Sequence, residues 1–188
     1  MKKIKILSST IIISFCFLLN AFAQSNDIKI SIAVPDHDAQ NASPYQNNWI
    51  SLNSDGAHFH VLITNTSSES KRLWENWNSW GWYNLTFDIL DKQGNILHTL
   101  QKKPHVWTKN GPSFILLKSN ESYIIDVYLR KSDWELPFLN NEKEGTFEIN
   151  LKATYEIHED KEAKENNIWL GKAESKIKKC TINYWKNN

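Results

Sequence analysis

The sequence predicts an all-β fold, an antiparallel β-sandwich of about seven to nine strands, with a closed β-barrel as the alternative. Three observations carry this. Short blocks of alternating apolar residues recur from residue 28 onward, clusters of Gly, Pro, Asn and Asp separate them, and helix-period patterning is scarce. No period of 20–50 residues repeats and no low-complexity linker divides the chain.

The chain opens "MKKIKILSSTIIISFCFLLNAFAQS". Lys2, Lys3 and Lys5 precede an apolar run from Ile11 to Leu19, and Ala21-Phe22-Ala23 supplies the small-x-small pattern of a signal peptidase site. Residues 1–23 are therefore expected to be a cleaved export signal, giving a periplasmic or secreted product. Cys16 follows Phe15 inside the apolar run, so lipid anchoring is not expected. Removing the signal leaves 165 residues, 24–188, enough for one domain with its own core. Only Cys180 remains, so packing and not a disulfide must hold that domain.

Each strand follows from alternation. "IKISIAV" puts Ile28, Ile30, Ile32 and Val34 on one face, and "AHFHVLIT" opposes Ala57, Phe59, Val61 and Ile63 to His58, His60, Leu62 and Thr64. "YNLTFDIL" opposes Tyr83, Leu85, Phe87 and Ile89 to Asn84, Thr86 and Asp88. "DKQGN" follows, with Gly94 where a hairpin loop needs positive φ, so "ILHTL" should run back along the preceding strand. "SFILLKSNESYIIDVYLR" reads as a strand, a polar turn at Lys118 to Glu121, and a second strand holding Tyr123, Ile125, Val127 and Leu129 in register. "GTFEINLKATYEI" is the cleanest alternation, from Phe147 to Ile157, and the block from Ala173 to Tyr184 should close a sheet. "EDKEAKEN" has helix formers without an apolar face and is expected to be a short exposed helical turn or a charged loop. Strands of this number and spacing suit a sandwich of immunoglobulin-like type.

Three of these stretches, "FHVLITNTSSESKRL", "FDILDKQGNIL" and "FILLKSNESYIIDV", resemble bacterial immunoglobulin-like domains similar to the intracellular proteinase inhibitor (BsuPI-like) family. There a strand ends in Asn-Thr-Ser, a hairpin reads Asp-x-x-Gly, and a Leu-x-Pro-Gly-Glu turn leads into the next strand. Lys118-Ser119-Asn120-Glu121 stands in place of the Pro-Gly turn here, and the tryptophan-dense stretch lies outside the pattern. The resemblance covers about half of the mature chain, and it implies the same fold and an inhibitor or interaction role.

Charge and motifs exclude several function classes. Loss of the three signal lysines moves the net charge from +1 to −2, which leaves no electrostatic footprint for nucleic acid, and Lys176 to Lys179 reads as a solvated strand face. Nothing after Leu19 approaches the roughly 18 apolar residues of a membrane span. "HEDKE", His158 to Glu162, misses the zinc-protease pattern because Glu162 stands where a second histidine must be. Gly111-Pro112-Ser113 lacks the elbow that presents a nucleophile, and no glycine loop suits a phosphate. Asp36 to Asn41, "DHDAQN", has oxygen ligands at alternate positions but neither the turning glycine nor the closing acid of a calcium loop. His58 and His60, about 6.6 Å apart along one strand face, would hold a metal only if an acid from a neighbouring strand joined them. No cofactor is expected.

The stretch "RLWENWNSWGWYNLTF" remains. If the strand of Leu85, Phe87 and Ile89 extends back to Trp80, then Trp80 and Trp82 face outward with Asn84, Thr86 and Asp88, and Trp74 and Trp77 sit on a connection folding over that face. Either the rings form a second small core, or some stay exposed with Trp107 and Arg72 as a platform. The expectation is a non-enzymatic module contacting a protein or peptide through this loop. A carbohydrate-binding module stacking sugars on Trp74, Trp77, Trp82 and Trp107 is the alternative, and a metal-dependent enzyme at His58 and His60 a further one.

Overall fold

The computed structural model describes residues 27–34, 48–53, 57–108, 110–141 and 144–185. The expected export signal and the Asp36 to Asn41 loop lie outside them. Eleven strands are present: β1 (Ile28–Ala33), β2 (Trp49–Ser51), β3 (Phe59–Asn65), β4 (Lys71–Trp74), β5 (Leu85–Leu90), β6 (Ile96–Leu100), β7 (Phe114–Leu117), β8 (Ser122–Val127), β9 (Gly145–Ile157), β10 (Gly171–Glu174) and β11 (Lys178–Tyr184). Two short helices, α1 (Phe138–Asn141) and α2 (Lys161–Glu165), accompany them among the described residues. The number exceeds seven to nine because β2, β4 and β10 are three- or four-residue strands too short to show alternation.

The fold is all-β and its sheets do not close into a barrel. One sheet runs β1-β3-β8, the other β2-β11-β9-β5-β6 with β10 also on β9, and β4 pairs with β7 apart from both. Pairing is antiparallel throughout except β2 with β11. The chain leaves the first sheet after β3, makes the β5–β6 hairpin in the second, returns for β8 and crosses again to β9, as Greek-key sandwiches do. Inner-face residues of both sheets share one core, where Phe59 of β3 meets Phe87 of β5 edge-on with ring centroids 5.1 Å apart.

Alternation located this core. Ile28, Ile30, Ile32, Phe59, Val61, Ile63, Leu85, Phe87 and Ile89 are all buried, as are Leu151, Ala153, Tyr155 and Ile157 along β9. Gly94 takes φ 89° in the β5–β6 turn, where Asp91 accepts hydrogen bonds from the Gln93 and Asn95 N–H groups. Those bonds, that of the Asn95 side chain foremost, hold the exposed Asp91 carboxyl below its ordinary range. The charged segment after β9 forms α2, capped by Asp160, whose side chain accepts from the Ala163 N–H.

The strands flanking Lys118 to Glu121 lie in different sheets, β7 paired with β4 and β8 with β3, and Asn120 between them, at φ 64°, donates its N–H to Asn65 O. Two expectations change. The block from Ala173 to Tyr184 is not one strand but two, β10 and β11, each on a different half of β9. Ser175 fills the break, its hydroxyl accepting from the Ala153 N–H and donating to Lys176 O, and β1 bridges to it through Ile30. His58 is not on a wet face either, since it precedes β3 and is buried.

Candidate functional site

Asn78 organises the tryptophan-rich stretch. Its buried side-chain amide donates to Ser113 O and Oγ, both at 2.9 Å, and its Oδ1 accepts the Gly81 N–H at 2.8 Å. Turn bonds from Trp82 N–H to Asn78 O and from Asn84 N–H to Gly81 O then coil residues 78–84. Gly81 is required there, for a Cβ would stand 1.9 Å from Glu75 O. This coil overturns the backward extension of β5: the strand starts at Leu85, and Tyr83, expected inside, is about half exposed.

The rings separate into distinct environments. Trp74 belongs to strand β4, where it pairs with Phe114 and is 2% exposed, so it is no platform residue. Half-buried Trp80 packs on it with centroids 5.9 Å apart. Trp82 turns the other way, donating its Nε1–H to Lys103 O at 3.0 Å, and makes an edge contact with Trp107 at 5.8 Å. His105 lies against both, 5.3 Å from Trp82 and 4.5 Å from Trp107. Trp77 alone of the four is exposed, at 62%.

The loop before β5 and the described residues between β6 and β7 are thereby braced against each other. Asn78 binds Ser113, Trp82 binds Lys103, and Asn110 binds both the backbone and the hydroxyl of Ser79. Within this two-loop unit Trp77, Tyr83, His105 and Val106 are exposed, Val106 at 85%. On its inner side Lys102 places its ammonium 4.0 Å from the centroid of Trp82 and 4.5 Å from that of Trp134. Burial between the rings holds this lysine below its usual range, with Asp133 opposing the effect. A cleft of about 70 Å³ separates Lys102, Trp82 and Trp134 from Ile125 and Asp126 of β8. It is too small for a cofactor-sized ligand, whose pockets run to roughly 300–1,000 Å³. Tyr123 closes the unit from β8, donating its hydroxyl to Asn76 Oδ1 at 2.8 Å.

Arg72 is committed elsewhere. It donates to Asn166 O at 3.0 Å and stacks over the Phe114 ring at 4.7 Å, tying β4 to the end of α2. His58 and His60 do not converge. The Leu129 N–H donates to His58 Nδ1 at 2.9 Å in the interior, whereas His60 Nδ1 lies 2.7 Å from Asp126 Oδ1 at the surface. Among the described residues no three His, Cys, Asp or Glu side chains gather as metal ligands, and no helix is long and apolar enough to cross a membrane.

Two pairs that sequence reasoning grouped are brought together by the fold, Trp74 with Trp80 and, 25 residues apart, Trp82 with Trp107. Lys102, His105 and Trp134 were not singled out, and Asn78 and Ser113 were read only as a turn-prone residue and as part of a rejected nucleophile motif. A lysine or asparagine between tryptophans carries no periodic signal, and its partners lie on other elements. Comparison with protein-family models, curated proteins and solved structures returned no match.

Proposed function

We propose that the chain is an exported, non-enzymatic binding module that contacts a protein or peptide partner through the two braced loops. The observation that carries this reading is Trp77 and Val106, both exposed, on loops fixed to each other by half-buried hydrogen bonds. Large apolar side chains held at a surface by a rigid support suit a partner interface, because little loop ordering is left to oppose binding. The resemblance to the proteinase inhibitor family points to the same class of partner. A sugar platform is disfavoured: Trp74 is inside, Trp82 and Trp107 meet at 83°, and Lys102 covers one face of Trp82. A metal-dependent reaction is disfavoured by the bond that occupies His58 Nδ1.

The test compares the mature protein with a Trp77→Ala, Val106→Ser variant of matched thermal stability. Both are used to capture partners from the envelope and medium of the source cells, and both are applied to a glycan array. A protein retained by the parent and lost by the variant supports the reading. Equal capture, or glycan binding that depends on Trp77, overturns it.

A further inference from the structure

The β11 end of the sandwich holds a second feature that uses none of the two-loop residues. An open groove of about 500 Å³ is lined by Leu129, Leu139, Tyr184 and Trp185, with Arg130 and Lys131 beside them. Trp185 is 52% exposed although it follows the last strand. Its backbone is nevertheless clasped, since Asn53 donates Nδ2–H to Trp185 O at 2.6 Å and accepts the Trp185 N–H on Oδ1 at 2.9 Å. The asparagine side chain thus continues the ladder of β2 and β11 by one step and fixes where the indole stands.

Arg130, which also borders the cleft lined by Asp126 and Asp133, stacks on the Tyr128 ring at 4.9 Å, and Lys131 donates to Tyr184 Oη at 3.1 Å. Among the described residues neither cation forms an ion pair with a carboxylate and no acid lines the groove. Stacking uses the face of a guanidinium and leaves its N–H edge, and one bond to Tyr184 leaves two of three ammonium donors.

From this we propose that the groove captures the free C-terminal residue of a peptide, with a large apolar side chain on Trp185, Tyr184 and Leu129 and the α-carboxylate on Arg130 and Lys131. Charge complementarity selects that occupant. A terminal residue bears its carboxylate one carbon from its side chain, so both can be met in one groove, whereas an internal Asp or Glu supplies the charge in place of the apolar group. The open end gives the rest of the peptide an exit, which a pocket enclosing a small free acid does not need.

The probe is an acetylated alanine peptide ending in phenylalanine, as the free acid and as the C-terminal amide, titrated into the mature protein by calorimetry. The acid should bind at least about tenfold more tightly than the amide, and added salt should weaken it. Arg130→Gln, Lys131→Gln together should remove the difference between acid and amide. Trp185→Ala should weaken both peptides, and Trp77→Ala neither, with thermal melts confirming the fold of each variant. Equal binding of acid and amide, no binding of either, or phenylacetate binding as tightly as the peptide would overturn the assignment.

Discussion

At the residue scale, side chains close in sequence have opposite duties. Trp74 fills the interior and Trp77, three positions on, lies in water. Trp74→Ala should cost about 3–5 kcal/mol, while Trp77→Ala should stay within about 0.5 kcal/mol, as read from urea unfolding midpoints at constant slope. Asn78→Ala strands the Gly81 N–H and the Ser113 carbonyl, and the expected loss is about 1–3 kcal/mol. Comparable losses for Trp74→Ala and Trp77→Ala would contradict this division. Cys180 is a buried strand residue whose thiol is pushed up to about 11 by burial, with Lys178 opposing. Almost no thiolate exists at neutral pH, so a thiol reagent should label it only slowly until denaturant is added.

At the element scale, β10 is held onto β9 by charge as well as by its ladder. Glu174 lies 2.6 Å from the Lys152 ammonium and 2.9 Å from that of Lys172 on the outer face of the sheet. The bond to Lys152, then that to Lys172, keeps the Glu174 carboxyl below its ordinary range, and Glu174 in turn raises Lys172. A carboxyl lowered on folding adds stability that is complete above its unfolded value of about 4.3 and is lost as pH falls through the lower folded value. The acid limb of the stability curve should therefore be shallower in Glu174→Gln than in the parent, measured by thermal melts below pH 5. Identical limbs would mean that the cluster contributes nothing.

At the scale of the whole molecule, β9 is the strand on which the second sheet depends. Its 13 residues are paired along one side by β5 and along the other by β10 and β11. Amide hydrogen exchange should be slowest from Leu151 to Tyr155, where neighbours flank the strand on both sides and every side chain but that of Lys152 is buried. Exchange should be fastest in β2 and β6, the outer strands of the same sheet. Protection in β6 equal to that in β9 would show that its free edge is covered in solution, and would direct attention to Ile96 and Leu97, both exposed there.

Legibility in sequence followed the range of the physics. Period-two alternation revealed β1, β3, β5 and β9 because a half-buried strand writes its two faces into consecutive residues. "DKQGN" revealed a hairpin because the left-handed position and the Asp91 bonds that hold it lie within five residues. Asn65-Thr66-Ser67, seen only as a pattern, has a local part in the Ser67 bonds to Asn65 Oδ1 and a distant one in the bond from Asn65 to Leu117 O. The tryptophan stretch failed the same logic. Alternation was extended through it to Trp80, but Asn78 reaches across 35 residues to Ser113 and coils the chain instead.

By itself, the sequence determined the all-β class, the inward faces of β1, β3, β5, β8 and β9 and the hairpin after β5, since these depend on periodicity and on turn residues acting over a few positions. Only the tertiary structure decided which strands share a sheet, which tryptophans face water, that His58 and Arg72 are already bound, and that Trp185 stands beside Arg130 and Lys131. Those outcomes rest on hydrogen bonds and packing between residues tens of positions apart, and no local pattern encodes which distant partner completes them.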